Sequence, residues 1–163
     1  GLRRAAVTLD DLLELLEGPM RSSSEAELQG EIERALIDGR VKFEREARLS
    51  GPDRIDFLVE IVEHRTCSGC GGTGDHFDEF LELLVDHLEC DGRGWWDDRT
   101  RVGVEVKVKG GVPEIERQLA RYAAHDSVDV LVLVSTRLRH ARMPSTLCGK
   151  TVGTVIKVEA SLM

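Results

Sequence analysis

Two sets of residues in this chain combine types and spacing that suit chemistry. The first centres on Glu105-Val106-Lys107, inside the stretch Arg101–Lys109 (RVGVEVKVK). That stretch alternates β-branched residues with charge at period two and stops at Gly110-Gly111, so it predicts a strand. A carboxylate and an ammonium two residues apart leave the same face of a sheet. Such a pair either faces water or does chemistry. The second set is Cys67, Cys70, His87 and Cys90, in CSGCGGTG and HLECDGRG, two copies of (Cys/His)-x-x-Cys-x-Gly-x-Gly. Each copy lets two ligands converge on one metal while glycine amides approach the sulfurs, and together they make a closed Cys3His zinc site. Free buried thiols are the alternative, and a disulfide is disfavoured in a reducing compartment.

Further acidic residues stand where strands and helices are predicted. Asp56 lies within Arg54–Val62 (RIDFLVEIV), a predicted strand, where an aspartate is a poor former and costly to bury unpaired. This strand pairs as a hairpin with Val41–Leu49 across the turn Ser50-Gly51-Pro52-Asp53, in which Asp53 is ordinary turn chemistry. A helix is predicted from Glu25 to about Asp38, capped by Ser24 with Glu27 completing a capping box and ended by Gly39. Its apolar stripe is Leu28, Ile32, Ala35 and Leu36. Glu25 projects within that stripe, either as a core-side functional acid or as a first-turn glutamate favoured by the helix dipole.

The remaining elements frame these. Thr8–Glu17 predicts a short helix capped by Thr8. Asp75–Glu89 is predicted helical, with Phe77, Phe80, Leu81, Leu84 and Leu88 on one face, and Trp95-Trp96 either pack the cysteine module onto the rest or offer stacking faces for bases. Glu114–Ala124 predicts a helix with Ile115, Leu119 and Tyr122 inward and Gln118 four residues before Tyr122. Val128–Val134 (VDVLVLV) reads as a strand buried on both faces, and Thr151–Val158 as the last strand. Cys148 is expected to be a small core residue unless the fold brings it to the insertion. The class is α/β, a mixed sheet with helices on both faces, forming one domain over 1–163 with a zinc-binding insertion at 64–99.

Composition narrows the function classes. At 163 residues, 41% hydrophobic and 32% charged, the chain is ordinary for a globular protein. It has no run of about 18 apolar residues and no secretory apolar core near its start, so no membrane association and an intracellular, cytoplasmic site are expected. The net charge of −8 argues against indiscriminate coating of nucleic acid. Residues 101–163, however, carry ten Lys and Arg against six Asp and Glu, a balance of +4, and the first hundred carry −12. A phosphate-binding surface on one side only is compatible with this, and Arg117, Arg121, Arg137, Arg139 and Arg142 are candidates for DNA-backbone contact.

The order of features, from a helix glutamate through a strand aspartate and Glu-x-Lys to a helix with Gln-x-x-x-Tyr and an apolar strand, resembles the PD-(D/E)XK nuclease superfamily. Gln118 and Tyr122 narrow it toward the RecB-like, lambda-exonuclease-like branch. The resemblance runs from about Glu25 to Val134, leaving out the insertion. It implies a restriction-endonuclease-like fold and a metal-dependent deoxyribonuclease, with Asp56 and Glu105 as Mg²⁺ or Mn²⁺ ligands, Glu25 as an additional acid, Lys107 as catalytic lysine, and Gln118 with Tyr122 as an accessory pair. Such residues can hold a hard cation that activates water, while the lysine orients it. No histidine precedes the hairpin, whereas some RecB-like nucleases use one as a ligand. Cys67–Gly94 is similar to a pair of repeats of the zinc domain of DnaJ chaperones, which carries over metal binding and not chaperone function. A non-catalytic nucleic-acid- or protein-binding module on the same fold is the competing reading, and double-strand cutting would favour a homodimer.

Overall fold

A computed structural model describes residues 7–18 and 24–157. Val62–Arg99 forms one compact unit, and Val7–Ile61 with the chain from Thr100 onward forms the other.

Helices α1 (Leu9–Leu16) and α2 (Glu25–Asp38) of the larger unit precede strands β1 (Lys42–Arg48) and β2 (Arg54–Thr66), the last of which runs on into the smaller unit from Val62. Thr8 caps α1 in a full capping box with Asp11, and the Ser24 hydroxyl accepts the Glu27 amide at the start of α2. Both helices therefore begin where the sequence supplies a side-chain acceptor for orphan amides. β1 and β2 pair antiparallel, with Phe43 opposite Val59 and Ala47 opposite Ile55. After β5 (Trp95–Lys107) come helix α3 (Val112–Ala123), β6 (Val130–Ser135), a 3₁₀ turn at Leu138–Arg142, β7 (Thr146–Leu147) and β8 (Lys150–Ile156). Val158, the predicted end of the last strand, lies outside the described residues.

The order β1-β2-β5-β6-β8-β7 makes a six-stranded mixed sheet, with β5, β6 and β8 parallel and the outer pairs β1/β2 and β7/β8 antiparallel. Strand alternation sends Val102, Val104 and Val106 to one face, where Leu12, Leu28, Ile32 and Leu36 cover them. The opposite face packs Ile55, Leu131 and Leu133 against Ile115, Leu119 and Tyr122 of α3. Gly103 faces this second core, where a Cβ would meet Ile55, Leu131 and Val128, so a side chain there would push strand and helix apart. The molecule is thus α/β, a mixed sheet flanked by helices. No helix among the described residues is long and apolar enough to cross a membrane.

The smaller unit corrects one sequence expectation. Residues 75–89 are not a helix but a hairpin, β3 (Asp75–Asp78) paired antiparallel with β4 (Leu83–Asp86), followed by a 3₁₀ turn at Leu88–Cys90. A 15-residue helix would hold its ends about 20 Å apart. The ligand atoms of Cys67, Cys70, His87 and Cys90 instead lie within 4.8 Å of one another, so the spacer has to fold back. Asp78 favours the reversal by accepting the Phe80 and Leu81 amides on one carboxylate oxygen. Phe77, Phe80, Leu81, Leu84 and Leu88 consequently do not share a buried face; all five are exposed. Cys148 is also corrected: it is exposed rather than core, at φ 49°, with its thiol directed to the Ala120 carbonyl.

Candidate active site and metal centre

Four elements of the larger unit bring the predicted acids, lysine and accessory pair together. Glu105 and Lys107 leave β5 on the α3 side of the sheet, and the Lys107 Nζ stands 2.9 Å from Glu105 Oε1. β2 supplies Asp56, whose Oδ2 accepts the Val106 amide at 2.7 Å, while its own amide donates to Glu105 Oε2 at 3.4 Å. The two strands thus exchange amide-to-carboxylate bonds where each carries its acid. From α2, Glu25 lies 3.9 Å from Lys107 Nζ and accepts the Val108 amide at 3.3 Å. From α3, the Gln118 amide nitrogen donates to both Glu105 Oε1 at 2.9 Å and Tyr122 Oη at 2.7 Å. The Tyr122 hydroxyl in turn donates to the Arg54 carbonyl at 2.8 Å.

The electrostatics follow from burial. Glu105 is 2% exposed, and burial, reinforced by the charge of Asp56, pushes its carboxyl up to about 7 against the pull of Lys107. Asp56 is also raised, first by burial, with the Val106 amide and Lys107 opposing. Burial lowers Lys107, but the adjacent Glu105 charge and hydrogen bond outweigh it and the ammonium is held above its ordinary value. Glu25, Lys107, Lys109, Gly110, Glu114 and Gln118 line an open cleft of about 200 Å³.

Sequence reasoning missed two contributors. Gln29 donates to Asp56 Oδ1 at 3.0 Å; it stands four residues after Glu25, on the same helix face, and that spacing was the available signal. His140 is fully buried, bonded through Nδ1 to the Ser135 hydroxyl at 2.6 Å and through Nε2 to the Gly110 carbonyl at 3.0 Å. Since a carbonyl only accepts, Nε2 carries a hydrogen, and in the neutral ring Nδ1 is then the acceptor for the Ser135 hydroxyl. This ties the loop after Lys107 to the turn after β6. Arg137 and Arg139 brace the same loop, donating to the Val108 and Gly110 carbonyls, both at 3.0 Å. Arg117 and Arg142 are exposed, and Arg121 pairs with Asp53 at 3.6 Å. Asp53 does more than turn the chain, for it also bonds His125 Nε2 at 2.8 Å.

In the smaller unit, Cys67, Cys70, His87 and Cys90 form a closed cluster. A tetrahedral zinc with bonds of about 2.3 Å to sulfur and 2.0–2.1 Å to nitrogen requires roughly 3.8 Å between sulfurs and 3.5 Å between sulfur and nitrogen. Cys70 and Cys90 sulfurs are 3.8 Å apart, and His87 Nδ1 lies 3.4 Å from Cys67 and 3.8 Å from Cys90. The cluster therefore fits one metal ion such as zinc. Gly74 and Gly94 amides donate to the Cys70 and Cys90 sulfurs at 3.2 Å. Burial raises Cys70, yet the Gly74 and Gly72 amides, with the Cys67 and Cys90 thiols, bring it down to about 7, toward the thiolate a metal needs. Gly74 and Gly94 each sit where a Cβ would strike the backbone of the opposite loop, at Gly92 and Gly72, which explains the paired Gly-x-Gly. Trp95 is held by neighbours within the unit, tilted on His64 at 4.6 Å with the Arg93 guanidinium 5.6 Å from its ring.

Compared with protein-family models, curated proteins and solved structures, the chain finds no match in any of the three.

Proposed function

We propose that the protein is a metal-dependent deoxyribonuclease with a PD-(D/E)XK-type site, hydrolysing phosphodiester bonds with Asp56, Glu105 and Lys107. One observation carries this reading: two largely buried carboxylates from neighbouring strands, both held above the usual carboxylate range, with an ammonium 2.9 Å from one of them. Packing does not call for such a group, since apolar residues would serve it better. A divalent cation would relieve the carboxylate repulsion, and Asp56 and Glu105 offer the hard oxygens that Mg²⁺ or Mn²⁺ takes. When bound, that ion supplies a Lewis acid for a phosphoryl oxygen and lowers the pKa of water.

The chain's own residues do the rest. Lys107 orients the attacking water and offsets negative charge as it develops at phosphorus. Glu25 keeps the ammonium over the cleft. Gln118 uses both amide hydrogens, one on Glu105 and one on Tyr122, and so fixes the carboxylate against α3. Gln29 does the same for Asp56 from α2. Lys109 in the cleft and the exposed Arg117 and Arg142 suit the phosphate backbone. The Cys3His cluster is read as a structural zinc site, because its four positions are filled by protein ligands and none is left for substrate.

The test is cleavage of labelled duplex, single-stranded, flapped and branched DNA with Mg²⁺ or Mn²⁺. Divalent-dependent cleavage that Lys107→Ala lowers about 100-fold or more is expected. No cleavage of any substrate, or an unimpaired Lys107→Ala variant, overturns it. DNA binding that ignores Asp56→Ala and Glu105→Ala, without turnover, would favour a non-catalytic binding module.

A further inference from the structure

The hairpin of the smaller unit exposes more apolar surface than its own fold explains. Phe80 is 94% exposed and Leu88 86%, with Phe77, Leu81 and Leu84 each more than half exposed. Isolated exposed apolar side chains are normal, but several in one short segment mark a contact surface. The presentation is ordered. Phe77 pairs with Leu84 across the two strands and therefore shares a face with it, and Asp78 pins the tip through the Phe80 and Leu81 amides. A two-stranded hairpin is marginal alone, so an uncovered apolar face on one is a face that gains from being covered.

Charge identifies what covers it. From Cys67 to Gly92 the chain has seven Asp and Glu and no Lys or Arg. Asp75 and Asp86 are opposite each other, two residues from the Phe77–Leu84 pair and on the same face, while Glu79 and Glu82 flank the tip. DNA phosphates are repelled by such a surface. A second copy is disfavoured as well, because a self-complementary contact sets the same carboxylates against each other. We propose that the Asp75–Asp86 hairpin docks a partner protein through a segment in which apolar side chains are flanked by Lys or Arg. The apolar groups would cover Phe77, Phe80 and Leu84, and the cations would meet Asp86, Glu79 and Glu82. This inference does not rest on the nuclease reading.

The probe is a displayed library of random peptides selected against the full zinc-loaded chain, with binding of enriched peptides then measured on two variants. Phe80→Ser with Leu84→Ser removes exposed apolar groups, and Glu79→Lys with Glu82→Lys reverses the rim charge. Retained zinc shows that each variant keeps its fold; if one loses it, the other decides. Enriched peptides are expected to join basic to apolar residues, to bind either variant about tenfold or more weakly, and to weaken with salt. The proposal is overturned if no peptide is enriched, if enriched peptides are acidic or uncharged, or if both zinc-retaining variants bind as the parent does. It is also overturned if the apolar variant loses self-association, DNA binding or binding to phosphatidylcholine vesicles that the parent shows.

Discussion

At the scale of single residues, the protonation of Glu105 is the most informative property of the site. Its carboxyl is pushed from an ordinary value of 4.5 to about 7 by burial and by Asp56. The folded chain then holds this proton more tightly than the unfolded chain does. The group's contribution to stability is full below the unfolded value of 4.5 and is lost as pH rises through about 7. On the proposed reading, a divalent cation on Asp56 and Glu105 would compete with that proton and bind more strongly where the proton is gone. Mn²⁺ is expected to raise the melting temperature more at about pH 8 than at about pH 6, and Glu105→Gln to erase the difference. An equal rise at both pH values in parent and variant would show that the ion binds elsewhere. Tyr122→Phe deletes the bond to the Arg54 carbonyl and leaves the ring in place. A loss of about 1 kcal/mol in denaturant melts is expected, with the fold retained.

Among the elements, those positioned by local signals were legible and those positioned by distant closure were not. Ser24, the apolar stripe and Gly39 mark α2, and the strand patterns of Arg54–Val62 and Arg101–Lys109 place Asp56, Glu105 and Lys107 on strands, as found. Gln118 and Tyr122 share a helix flank as their spacing requires. Residues 75–89 failed because leucines and phenylalanines at helical spacing outweighed a constraint between Cys67 and Cys90 that acts only once the ligands converge. Cys148 failed because a turn with φ 49° lifts it out of the core. His140 acts through a partner 30 residues away in sequence, which no local pattern reveals. The hairpin result carries its own expectation. A metal held by Cys67, Cys70, His87 and Cys90 would tie Val62–Arg99 together where little apolar core does, so chelation should abolish hydrogen-exchange protection in β3 and β4. The β6 and β8 amides, in the separate larger unit, should keep theirs; unchanged exchange at 75–86 would deny the metal its structural role.

The whole molecule divides its charge between its parts. An acidic, apolar hairpin lies in one unit, and the cleft with Lys107, Lys109 and nearby arginines lies in the other. The sheet order puts β5 between the hairpin strand β2 and the buried parallel strand β6, so the acids and the lysine sit on a rigid centre and not on loops. Everything functional in the larger unit depends on whether Asp56 and Glu105 hold one ion between them. Anomalous diffraction from crystals soaked in Mn²⁺ measures this directly. A peak bridging the Asp56 and Glu105 carboxylates, absent in Glu105→Gln, is the expected result; full-occupancy Mn²⁺ elsewhere, or none at these two residues, would contradict the account.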